Sequence, residues 1–231
     1  GTNLGGTPGA GVTNLVFTAA PSVVGANSTQ FNKPIVAYAL GDTAAAGSGI
    51  GFVTYNVDPA SNVANTTGIR PLAVGSEYTL DSLVAGTNTL LTTGTTAAAA
   101  LSLNSLLLDG GTLDFDTGGI TQTITSGAMA RISGGDITST ADATRVLAFG
   151  ATEAVVQAVG SFSLGSAVTG TGGLTKSGEG ILTLGTQAKT YTGTTTINAG
   201  TLTEGIADAI STGAVTLRGG TFDLGGFTDS V

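Results

Sequence analysis

The chain has 231 residues, of which 38 are glycine; only 10 % are charged, and the formal net charge is −8. Its 7 Lys and Arg, spread over the whole length, cannot build a basic face for a phosphate backbone, which argues against nucleic acid as a partner. With no His and no Cys, zinc fingers, haem ligation, disulfides, Cys nucleophiles and imidazole bases are excluded too.

Hydrophobic residues make up 41 %, enough for a core, so wholesale disorder is rejected. No apolar run approaches the ~18 residues of a membrane span, and no basic segment opens the chain. The opening Gly1-Thr2-Asn3-Leu4-Gly5-Gly6 lacks Met and reads as a processed or excised start. The cysteine-free composition does not fix the compartment but suits an exported bacterial surface protein. The expectation is a soluble or surface-assembled β-rich protein that is not an enzyme.

Residues 1–90 are the irregular part. Pro8, Pro21, Pro34, Pro59 and Pro71 all fall there, with Tyr38, Tyr55 and Tyr78. They are predicted to be irregular β coils or a loop-bearing part of the solenoid that follows, with a separate N-terminal domain as the alternative. Ala44-Ala45-Ala46 is a weak helix candidate. Phe31, Tyr38, Phe52, Tyr55 and Tyr78 could line a glycan-binding surface, though such residues more often fill a core. Asn27-Ser28-Thr29 and Asn65-Thr66-Thr67 match the glycosylation sequon, as chance allows in Thr-rich sequence.

Residues 91–231 are regular. Short alternating stretches are cut by Gly, Asn, Asp and Ser, as in Ile120 to Thr125, where Ile120, Gln122 and Ile124 share a face. Leu108 to Phe115 (L-D-G-G-T-L-D-F) matches Leu217 to Leu224 (L-R-G-G-T-F-D-L) in register. Weaker copies start at Gly134, Gly172 and Gly200, mostly roughly 20 to 28 residues apart, the range of solenoid repeats. Each copy is a strand-turn-strand unit that buries its apolar face only by stacking. In such a coil Leu113 and Phe115 point inward and Asp114 and Asp116 outward. Asp109-Gly110 is the sole hairpin-type dipeptide, which favours a parallel β-helix over a sandwich. Low charge fits as well, since stacked identical charges repel. Thr152 to Val159 and Glu204 to Ile210 are the remaining helix candidates, and neither has both the length and the caps of a stable helix.

Gly172-Gly-Leu-Thr-Lys-Ser-Gly-Glu-Gly-Ile-Leu-Thr-Leu-Gly185 is followed by Lys189-Thr-Tyr-Thr-Gly-Thr-Thr-Thr-Ile-Asn-Ala-Gly-Thr-Leu202. This stretch resembles the autotransporter-associated β-strand repeat of passenger domains and large bacterial surface proteins. Gly173, Leu174, Lys176, Gly178, Gly180, Leu182, Leu184, Tyr191, Gly193, Thr195, Ile197, Gly200 and Leu202 fit its pattern, and the likeness extends over 170–224. The resemblance implies a right-handed β-helix, export to the cell surface and no catalytic residues of its own. Nothing here resembles the membrane barrel of a complete autotransporter. The stop at Val231, just after one repeat, is expected to mean a fragment or an open end completed by a neighbouring subunit.

Asp114 and Asp116, with Asp109 nearby, could form a glycosidase carboxylate pair or a Ca²⁺ site. Same-strand carboxylates do not flank a substrate unaided, however, so a solvated face is expected. Thr121, Thr123 and Thr125, echoed by Thr194/Thr196 and Thr201/Thr203, could order water on a flat face, but their uneven spacing reads as ordinary strand surface. Lys176 and Glu179 lie in a Gly-rich turn that lacks phosphate-loop spacing and is expected to be a corner with a surface ion pair. No catalytic, cofactor-binding or metal-ligating residue is assigned. The function expected is a structural component of the bacterial cell surface (stalk, coat or filament subunit) with end-to-end self-association. The alternative is an adhesin segment that binds glycan or another cell surface. A polysaccharide lyase or hydrolase is the least favoured reading.

Overall fold

A computed structural model describes Leu4, Thr13 and residues 15–25, 30–42, 50–56, 68–115, 118–139 and 144–230. The chain divides into two compact units, Gly1–Tyr78 and Thr79–Val231.

The first unit is built on antiparallel pairing. Strands Leu40–Asp42, Ile50–Asn56 and Gly68–Pro71 form a three-stranded sheet in which Leu40 faces Phe52 and Val53 faces Pro71. Pro71, which has no N–H to give a ladder, closes the last strand. Val36, Val53 and Ile69 form a small core, and the buried Tyr78 hydroxyl accepts the Phe52 N–H at 2.9 Å. The single turn Val74–Glu77 is the one α-helix among the described residues.

The second unit is a β-solenoid of about six turns. Its longest face stacks eight parallel strands: Thr79–Leu80, Asn88–Leu91, Ser105–Asp109, Ala128–Ser133, Ala154–Ala158, Leu174–Ser177, Thr195–Ile197 and Val215–Leu217. The second face stacks Thr95–Ala97, Leu113–Phe115, Ile137–Ser139, Phe162–Leu164, Ile181–Leu184, Thr201–Glu204 and Thr221–Asp223. The third face holds Leu101–Leu103, Thr121–Ile124, Val146–Ala148 and Ala167–Thr169, and an isolated bridge from Val168 to Lys189 carries it one coil further. Neighbouring coils therefore lie ~4.8 Å apart.

Register turns the sequence alternation into continuous inward rows. On the second face, Leu113, Ile137, Leu164 and Leu184 stack in one row, while Phe162, Leu182, Leu202 and Phe222 form the other. On the long face Leu106, Met129 and Val156 stack in the same way. These rows merge into one core that runs from Leu91 to Ile210.

The corners explain the glycine content. Gly160, Gly180, Gly200 and Gly220 sit above one another, and a Cβ on Gly180 or Gly200 would overlap the carbonyl oxygen of the glycine beneath. Gly200 also adopts φ +65°, which L side chains rarely take.

Two of the helix candidates fold otherwise. Thr152 to Val159 contains the strand Ala154–Ala158, buried along its whole length, where β-branched Val155 and Val156 suit a sheet. Glu204 to Ile210 is a strand end followed by turns, with Asp208 at φ 51°. Ala44-Ala45-Ala46 lies outside the described residues.

Candidate functional site

The structure scatters most of the sequence candidates. Leu113 and Phe115 are fully buried, whereas Asp114 between them is exposed and accepts the Thr138 hydroxyl of the next coil at 2.8 Å. Asp109 likewise accepts the Ser133 hydroxyl at 2.6 Å. Asp114 and Asp109 therefore belong to outward polar ladders; Asp116, the proposed partner of Asp114, lies outside the described residues. Asn27-Ser28-Thr29 and Asn65-Thr66-Thr67 lie outside them too. Thr121 is paired with Val146, and Thr123 with Ser102 and Ala148, so no continuous threonine array forms there. Of the aromatic residues, Phe52 and Tyr78 are core, Phe31 and Tyr38 are exposed, and Tyr55 meets Phe17 edge-on at 6.1 Å.

Shallow grooves lie on the first coils, one lined by Asp81, Ser82, Leu83, Thr95, Thr96 and Leu101. Asp81 is already engaged. It accepts the backbone N–H of Thr92 at 2.6 Å and of Thr93 at 2.9 Å, and the Thr92 hydroxyl at 2.8 Å. Its slight burial would raise its pKa, but these bonds outweigh that and hold the carboxyl below its ordinary value.

The chemically unusual positions are two charged side chains set into the apolar rows. Lys176 follows Val156 and precedes Ile197 in the long-face row, and it is fully buried. Its stem continues the row, and its Nζ turns into the corner to donate to the carbonyls of Gly178 at 2.6 Å and of Ser177 and Ala199 at 3.0 Å. This corrects the expected surface ion pair: the ammonium serves corner carbonyls from within. Burial pushes it down to about 8, although the Glu179 charge opposes that. On the third face of the same coil, Lys189 is also buried, donates to the carbonyls of Gly185 and Gln187, and is pushed down by burial to about 7. The second inserted charge is Glu204, which follows Leu184 in the second-face row.

Parallel coils on three faces, cored by Leu, Ile, Val and Phe and turned at glycine corners, define a β-solenoid. Residues 174–203 match the passenger-associated-transport-repeat family, so the chain carries an autotransporter passenger repeat. The matched stretch begins with strand Leu174–Ser177 and runs into strand Thr201–Glu204, a little over one coil. No curated protein and no solved structure matches the chain. Fold and repeat together fit an autotransporter passenger domain, and the repeat points to a secreted or surface protein. Among the described residues, no helix is long and apolar enough to cross a membrane.

Proposed function

We propose that the chain is a mechanical element of the bacterial cell surface, a stalk, coat or filament subunit that carries no catalytic centre of its own. The observation behind this reading is the unbroken apolar column from Leu91 to Ile210, to which every turn from Asn88 onward contributes. In such a stack each coil contacts only its neighbours, so added coils extend the rod without altering its cross-section. The outward acids Asp109 and Asp114 are tied into hydroxyl ladders, as expected of a solvated wall.

Val215–Leu217 and Thr221–Asp223 each end a sheet, and Leu217, Leu224 and Phe227 are exposed by 57, 44 and 41 %. The backbone N–H and C=O groups of such strands pair with the coil that stacks on them. In the self-associating reading that coil belongs to a second copy. Negative-stain electron microscopy over a concentration series tests this. Rods that lengthen by a regular increment support joining, whereas single rods at every concentration refute it.

An adhesin role is the second reading, supported by exposed Tyr38 and Phe31 in the N-terminal unit. Aromatic faces stack on sugars. Glycan-array binding that is lost in Tyr38→Ala and Phe31→Ala would favour it; no binding to any glycan or cell surface would remove it.

A further inference from the structure

Glu204 occupies the place of a leucine. The row Leu113, Ile137, Leu164, Leu184 continues directly into it. Glu204 is 1 % exposed, and both carboxyl oxygens are buried without a hydrogen-bond partner. The Ala209 N–H is directed toward it without closing a bond of normal geometry. Facing Glu204 within hydrogen-bonding reach is the carboxyl of Asp229. Asp229 Oδ2 accepts the Ile210 N–H at 3.3 Å, while its Oδ1 is also buried and unpartnered. Two acids thus abut where the row has placed methyl groups.

Two ionised carboxylates are disfavoured in such a site, because Glu204 is desolvated and the two charges repel. A proton placed between them turns repulsion into an O–H···O⁻ bond and leaves a single charge. Among the described residues, the groups around the pair supply no counter-charge. Asp208, from the adjoining turn, adds a further negative charge. Tyr191 faces Asp229 from two coils below, and its hydroxyl is bonded to that of Thr195 at 2.6 Å. Lys189, in the coil beneath, spends its ammonium on the Gly185 and Gln187 carbonyls. Among the described residues, no group of three or more acids is placed to hold a metal ion.

We infer that Glu204 and Asp229 share one proton and form an acid-closed latch, which ties segment 205–230 to the coil beneath and loosens when that proton leaves. The segment is otherwise held by the parallel pairing of Val215–Leu217 with Thr195–Ile197 and of Thr221–Asp223 with Thr201–Glu204, and in its turns by the Gly205 N–H, which donates to the Leu184 carbonyl at 2.9 Å, and the Asp208 N–H, which donates to the Thr228 carbonyl at 3.1 Å. Burial, followed by the Asp229 bond and charge, pushes Glu204 up to about 8 from an ordinary 4.5. A raised carboxyl stabilises fully below its unfolded value and loses that stabilisation as pH rises through its folded value. The latch is therefore closed in mild acid and opens as pH rises through about 8.

Amide hydrogen exchange of the full chain at about pH 5.5 and pH 8.5, corrected for intrinsic rates, tests this. In the wild type, protection over 205–230 is expected to fall about tenfold or more at the higher pH, with 105–165 unchanged. Glu204→Gln, which keeps the shape and an N–H donor to Asp229, should flatten that dependence. Glu204→Leu, which completes the leucine row, should flatten it and raise protection; it also covers the case of a poorly folded Gln variant. Equal pH dependence in wild type and Glu204→Leu would overturn the inference. So would added Ca²⁺ that restores protection at pH 8.5 in the wild type but not in the variant, since the pair would then be a cation site.

Discussion

Asn104 donates its side-chain Nδ2 to the Oδ1 of Asn88, 16 residues earlier, at 2.6 Å, with both side chains fully buried. The same Asn88 oxygen accepts the Ser105 hydroxyl at 2.8 Å. The contact ties one coil to the next at the corner that leads onto the long face. A buried amide is tolerated there because its partners come from the stacked copy of the same corner. Sequence period and polar satisfaction are thus a single device: shifting the coil by one residue would misplace both donors.

Asn88→Ala is expected to destabilise the solenoid by about 2–6 kcal/mol, because it removes the shared acceptor of two buried donors, at about 1–3 kcal/mol each. Guanidinium unfolding followed by far-UV circular dichroism checks this. A loss below 1 kcal/mol would mean that water replaces the amide and that the corner is open.

The glycine corner gives a sharper contrast. In Gly200→Ala a new Cβ meets the carbonyls of Gly180 and Gly178 while the backbone stays at φ +65°. Strain and overlap together should cost about 3 kcal/mol or more. Gly94 has open space around its Cβ position, so Gly94→Ala should move stability by about 0.5 kcal/mol or less. Parallel thermal melts of the two variants separate corner glycines from incidental ones.

These features were unequally visible in the sequence. Leucine alternation and Gly-Gly steps gave the coils over 170–224, because a solenoid repeats its local chemistry with its geometry. Thr201-Leu202-Thr203-Glu204 lies over Ile181-Leu182-Thr183-Leu184, so an acid in a leucine row could have been found by aligning the two coils. Lys176 was harder, since lysine ordinarily reads as surface. Its burial emerges only once Val156 and Ile197 are known to lie directly below and above it. In the first unit the pairing of Val53 with Pro71, and of Leu15 with Ile69 across an isolated bridge, follows no period, and so left no pattern to read.

Lys176 makes a pH prediction of definite sign. Its ammonium is depressed to about 8 from 10.5, so between these values the unfolded chain binds more protons than the folded one. Stability should therefore rise with pH over that window. Lys176→Met should remove part of the rise and leave the part due to Lys189, which burial holds at about 7. At pH 7 it should also cost about 2 kcal/mol, since the carbonyls of Ser177, Gly178 and Ala199 lose their common donor. Denaturant midpoints measured from pH 7 to 10.5 for both proteins check slope and offset together.

The N-terminal unit should respond to acid in the opposite sense from the Glu204 pair. Glu77 takes a two-pronged bond from Arg70, at 2.6 and 2.7 Å, together with the Ala73 N–H at 2.8 Å, and Lys33 stands at 3.8 Å. Burial works against the charge, but the Arg70 and Ala73 bonds and the two cations outweigh it, so the carboxyl is held below its ordinary 4.5. A lowered carboxyl contributes stability above its unfolded value and loses it as pH falls through its folded value. The first unit should thus loosen below about pH 4.5, where segment 205–230 is held most tightly. Glu77→Gln should remove most of that acid sensitivity and cost about 3 kcal/mol at neutral pH, because Arg70 is left half-buried without its counter-charge. Hydrogen exchange over 30–78 and 205–230, read in one pH series, reports both responses from the same molecules. Parallel loss of protection in the two segments on acidification would contradict the opposite signs assigned to Glu77 and Glu204.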